Sequence, residues 1–140
     1  MDVSRYFLSR VDEESGDSIS NLKLQKLLYY SQGFHLAAYE CPLFPEAIEA
    51  WAHGPVVPRV YHACNRFESG PVSISGDLDV AVFEPRSIEL LNEVYAVYGQ
   101  FSASALRNMT HEEPPWKLTE QGEVISHDLL RDFFRTRIVQ

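Results

Sequence analysis

The sequence predicts a mainly α fold: one compact helical bundle of about five to seven helices spanning residues 1–140, with a short β-hairpin permitted around residues 72–83. Three observations carry this reading. Apolar residues recur at helical spacing in several runs, serine N-caps open three of those runs, and proline or glycine punctuates the intervals between them. At 140 residues the chain is long enough for a single core that buries about two-thirds of the surface the unfolded form exposes.

The elements follow in order. Val3, Phe7, Leu8 and Val11 suggest a short N-terminal helix, and Asp12 to Asp17, with Gly16, reads as the turn after it. Next comes a device that recurs twice more: a serine N-cap preceded by an apolar residue able to pack on the apolar residue five positions later. The three sets are Ile19-Ser20 with Leu24, Phe101-Ser102 with Leu106, and Ile125-Ser126 with Leu130. After Ser20, residues Leu24, Leu27, Leu28, Phe34 and Ala38 predict a long central helix that buries one stripe, ended by Pro42 and Pro45.

Ala47 to Trp51 is too short to separate strand from helix, and Gly54-Pro55 then requires extended or turn geometry. Pro58 opens a helix whose apolar face is Val57, Val60, Tyr61, Cys64 and Phe67, closed by Ser69-Gly70-Pro71. Alternation in Val72-Ser73-Ile74 and Leu78-Asp79-Val80 around Gly76-Asp77 is what permits the hairpin. Pro85 starts a helix with Ile88, Leu91, Val94, Tyr95 and Tyr98 on one face and Gly99 as its stop. A short helix runs from Ser102 to about Met109 and ends before Pro114-Pro115, and Leu129, Leu130, Phe133 and Phe134 form a terminal helix. There is no internal repeat, low-complexity tract or linker.

Composition narrows the function classes. The chain is 45% hydrophobic and 23% charged, with eight Phe, seven Tyr and two Trp, an ordinary globular balance rather than a disordered one. No long apolar run or signal-like N-terminus is present, which points to a cytoplasmic location and away from membranes. Cys41 and Cys64 read as free thiols. A net charge of −8 disfavours a grip on phosphate backbone, so no direct nucleic-acid binding is expected, and it suits a basic protein partner.

Three constellations could carry function. Gln25, Tyr29 and Gln32 fall at i, i+4 and i+7 and line one side of the central helix, where they could face a pocket or interface or satisfy nearby backbone. Trp51 and His53 precede the rigid Gly54-Pro55 turn, which could preorganise them for binding or plug the core. In Thr110-His111-Glu112-Glu113-Pro114-Pro115-Trp116, a histidine and two carboxylates sit at a helix end, where a protonated His111 could cap the last carbonyls. Zinc spacings, G-x-S-x-G, Walker A and G-x-G-x-x-G are all missing, so no metal, cofactor or catalytic residue is assigned and an enzyme is not expected.

Taken together, Asn21-Leu22-Lys23-Leu24-Gln25-Lys26-Leu27-Leu28-Tyr29-Tyr30, Gln32, Ala50-Trp51, Gly54-Pro55-Val56-Val57-Pro58, Tyr61, Thr110-His111 and Pro115-Trp116 resemble the Panacea domain of SocA-like antitoxins, a family with phage-associated members. The resemblance covers about residues 5 to 135, though Val72 to Val82 matches no family motif. It implies a mainly helical bacterial or phage-borne domain that binds and neutralises a cognate toxin protein without catalysis. One branch of the family is similar to a proteolytic adaptor that delivers its toxin to an ATP-dependent protease. On this reading Gln25, Tyr29, Gln32, Trp51, His53, Tyr61, His111 and Trp116 are the candidate partner-binding residues. The alternative is a small-molecule site or enzyme with a pocket lined by Tyr29, Gln32, His53, Tyr61 and His111.

Overall fold

The computed structural model describes residues 1–11, 18–68 and 70–138, and the turn expected over Asp12 to Asp17 lies outside them. Seven α-helices occur among the described residues: α1 (Asp2–Ser9), α2 (Asn21–Tyr39), α3 (Pro58–Cys64), α4 (Pro85–Tyr98), α5 (Ala103–His111), α6 (Pro114–Lys117) and α7 (His127–Arg135). Strands β1 (Glu49–Trp51) and β2 (Gly54–Val56) pair antiparallel between α2 and α3.

The three serine caps form where their local chemistry places them. Ser20 Oγ accepts from the Lys23 N–H at 3.2 Å, Ser102 Oγ from Ala105 at 3.1 Å and Ser126 Oγ from Leu129 at 3.1 Å. The staple residues Ile19, Leu24, Leu106, Ile125 and Leu130 are all buried. Pro114 and Pro115 stop α5 and also begin α6, because proline is tolerated in the first helical turn, whose N–H groups have no intrahelical partner.

Helix α2 is the axis of the molecule, with α1, α3, α4, α5, α7 and β2 all packed on it. Contrary to the single stripe expected, it is enclosed almost all round: Gln25, Lys26, Ser31, Gln32 and His35 are buried beside Leu24, Leu27, Leu28 and Leu36. Polar groups can be enclosed only if they are hydrogen-bonded, and each of these five has a partner within the fold. On the α7 side Gly33 lets the Phe134 ring lie against the α2 backbone, where a Cβ would come within 2.1 Å of it. Phe134 also packs on Tyr29, Tyr30 and Phe34, and Tyr30 stacks on Tyr98 of α4 at 3.9 Å.

The hairpin forms at 49–56, not at 72–83. Within 72–83 the backbone groups go elsewhere: Val72 N–H donates to Ile19 O at 2.9 Å, and Arg5 donates to Ser75 O from two nitrogens, at 3.1 and 2.9 Å. The Asp79 carboxylate then accepts from Ala81 N–H at 3.0 Å and starts a 3₁₀ turn over Val80–Val82, a local side-chain bond that competes with strand pairing. By contrast β1 is supported on both edges. It pairs with β2 on one side, and on the other Ala50 N–H donates to Glu123 O at 3.0 Å while Ile125 N–H donates to Ile48 O at 2.8 Å. Cys41 and Cys64 are free thiols. No helix among the described residues is long and apolar enough to cross a membrane.

Candidate functional site

The eight candidate residues separate into an interior set and a surface set. Gln25, Tyr29 and Gln32 are fully enclosed, at 0% exposure. The Gln25 carbonyl accepts from Val57 N–H at 2.8 Å, and its amide donates to Asn21 Oδ1 at 2.8 Å, while Asn21 donates to Tyr61 O at 3.0 Å. Gln32 accepts from Leu43 N–H at 2.7 Å and donates to Phe44 O at 2.8 Å, fixing the loop after α2. Tyr29 and Tyr30 donate to the two oxygens of Glu113, at 2.9 and 3.0 Å. Burial raises the Glu113 carboxyl above its usual range while the two phenols pull it back, and burial next to that carboxylate raises both tyrosines.

Lys26, which the periodicity did not single out, is also fully buried and donates from Nζ to Pro55 O at 2.8 Å. Thus the motif Asn21 to Tyr30 reaches through Gln25 and Lys26 to both backbone groups of the Pro55–Val57 segment, and through Tyr29 and Tyr30 to the α5–α6 junction. Gly54, at φ +107°, completes this junction: a Cβ there would meet Lys26 Cε and Thr110 Oγ1 at 2.8 Å each. Its left-handed backbone sits one residue after the Ala52-His53 turn rather than inside it, so no Asn-Gly signal marks the hairpin in the sequence.

What this scaffold holds outward is the other set. Trp51, Tyr61, His111 and Trp116 are half-buried, and His53 and His62 are exposed. Trp51 meets Tyr61 edge-on at 4.9 Å and His62 at 5.9 Å, and the Trp116 indole N–H donates to Trp51 O at 2.7 Å. His111 stacks on Trp116 at 4.1 Å and 20°. Residues from β1, the hairpin turn, α3, α5 and α6 therefore meet on one face, and both tryptophans of the chain belong to it.

His111 does not cap α5. The helix ends through backbone bonds from Glu112 N–H, and burial, then the Arg107 guanidinium, push the imidazole below its ordinary value, so it is neutral at pH 7 and the helix dipole does not prevail. The pocket of the alternative reading loses its stated convergence, since Tyr29 is committed to Glu113 and Gln32 to Leu43 and Phe44, both fully enclosed, while His53 is exposed. A further polar bridge has no sequence signal: His35 joins Cys41 O at 2.8 Å and Ser87 Oγ at 2.9 Å, tying the loop after α2 to the first turn of α4. Its partners are 6 and 52 residues away, and no local pattern links them.

The family described as Antitoxin SocA-like, Panacea domain, matches residues 24–117. The antitoxin SocA of Caulobacter vibrioides (strain NA1000 / CB15N) is 34% identical over 117 residues, which cover 74% of this chain and 61% of that relative's length. No solved structure matches the chain.

Proposed function

The chain belongs to the SocA-like antitoxin family of Panacea domains, and from that membership we propose that it neutralises a cognate toxin protein by direct binding, using the face formed by Trp51, His53, Tyr61, His111 and Trp116. The observation that carries this reading is the division of labour within the motif. Gln25, Tyr29 and Gln32 satisfy the interior, and what they hold in place is a partly open aromatic and histidine surface. Rigid amphipathic rings anchored from below lose little conformational freedom on binding, which is why Trp and Tyr dominate interface energies. On this reading the interior residues act on the partner indirectly, by positioning.

Co-expression with the product of the neighbouring gene tests it. The wild-type chain is expected to restore growth and to copurify with that product. His53→Ala and Tyr61→Ala are expected to keep the thermal midpoint while weakening the complex about tenfold each, or ~1.4 kcal/mol. Tyr29→Phe should instead lower the midpoint, because it strips one hydrogen bond from a buried carboxylate. Failure of the wild-type chain both to rescue growth and to copurify would count against the proposal, and so would surface variants that bind unchanged.

A further inference from the structure

The same face holds a group of nitrogen-bearing side chains. Arg107 and His111 stand four residues apart on one side of α5, a spacing that puts them on adjacent turns. Lys26 on α2, beside Gly54 and Thr110, and His53 in the hairpin turn are near them. Arg107, Lys26 and His53 all act on His111, and Arg107 acts on Lys26. Among the described residues none of these four side chains makes an ion pair. Two carboxylates of this region are engaged otherwise: Glu113 holds Tyr29 and Tyr30, and Glu49 accepts from the Trp51 indole at 3.0 Å. Such grouping is notable in a chain with 20 Asp and Glu against 12 Lys and Arg.

Two nitrogens of the cluster are also unsatisfied. Arg107 Nε and His111 Nε2 are buried atoms without a hydrogen-bond partner, on side chains otherwise partly open to solvent. Arg107 Nε–H is a donor, and a buried donor without an acceptor is a cost that a suitable ligand removes. Both deficits are removed by one kind of group: a small anion accepts from the planar guanidinium, and its charge draws a proton from solvent onto the neighbouring imidazole, whose Nε2 then donates to it as well. Carboxylate fits the flat fork of arginine, and a protein partner supplies it from an Asp or Glu side chain or a C-terminus.

We propose that the Arg107–His111 site receives a carboxylate of the bound protein partner, with Trp51 and Trp116 as its apolar walls. This rests on the toxin-binding reading and deepens it by naming the group the partner presents.

The test uses the full chain, ¹⁵N-labelled, titrated with sodium acetate, N-acetylglycine, the α-amide of N-acetylaspartate and inorganic phosphate, each against sodium chloride at matched ionic strength. Saturable movement of the Arg107 Nε–H and Trp116 indole resonances by acetate is expected. Of the two peptide-like acids, the tighter shows whether a C-terminus or a side chain is preferred. Arg107→Lys should weaken acetate binding about tenfold, because an ammonium keeps the charge and loses the two-armed geometry. Arg107→Gln, of uncharged side chain, should abolish it, with circular dichroism melts showing that both variants fold. Absent saturation, unchanged binding in both variants, or saturation by phosphate alone overturns the inference. If the neighbouring gene product copurifies while acetate does not bind, the carboxylate site falls and the toxin-binding reading stands. Acetate held through Arg107 without capture of that product would put the failure on the toxin-binding reading instead.

Discussion

Lys26 is the residue whose behaviour departs furthest from what its type suggests. Burial, with Arg107 nearby as a smaller cause, lowers its pKa from 10.5 to about 7. The folded state therefore sheds a proton that the unfolded chain keeps between those two values. Stability from this group is fully present above about 10.5 and is lost as pH falls toward about 7. The expected outcome is that wild-type stability, measured by urea unfolding, gains on the order of a few kcal/mol relative to Lys26→Met as pH is raised from 7 to 10. Equal slopes for the two proteins would show that Lys26 keeps its proton on folding. Nothing in the sequence around Lys26 foretells this, since its neighbours mark a helix and a lysine in a helix is ordinarily solvated. Gln25, Tyr29 and Gln32 were legible as a hydrogen-bonding stripe. Their partners were not, because Val57, Glu113 and Phe44 are brought to them by tertiary packing.

Elements governed by neighbouring residues were the legible ones. A serine cap and its staple lie within six positions of each other, so their physics is written locally, and α2, α5 and α7 begin where the motif puts them. The hairpin is a tertiary product: Glu49–Trp51 becomes a strand because residues 122–125 supply its second edge, and alternation at 72–80 came to nothing once Arg5 and Asp79 had taken its backbone groups. The α2–α7 packing has the same character. Gly33 in mid-helix reads as a weakness, since alanine is the better helix former by about 1 kcal/mol. With Phe134 against it the sign reverses, and Gly33→Ala is expected to destabilise the fold by about 1–3 kcal/mol through overpacking. Thermal melts of Gly33→Ala, Phe134→Leu and the double variant check the cause. The double variant should lose less than the sum of the single losses, because the smaller side chain relieves the clash.

For the whole molecule, the net charge and the basic cluster act on different steps of association. A charge of −8 sets a field that reaches about a Debye length, roughly 10 Å at 0.1 M salt, and so biases the encounter with a basic partner. The Arg107–His111 cluster is local and partly buried, and it acts once surfaces have met. Stopped-flow association with the copurifying partner separates the two. Raising the salt from low to high should slow association roughly tenfold or more while moving dissociation little, the pattern of long-range steering. Arg107→Gln, which makes the chain only one charge more negative, should leave association nearly unchanged and speed dissociation, as removal of a desolvated charge pair from the bound state does. Salt-insensitive association would remove the steering argument and leave the local site standing. An Arg107→Gln effect confined to association would mean that this cluster works through its field alone, with no carboxylate seated on it.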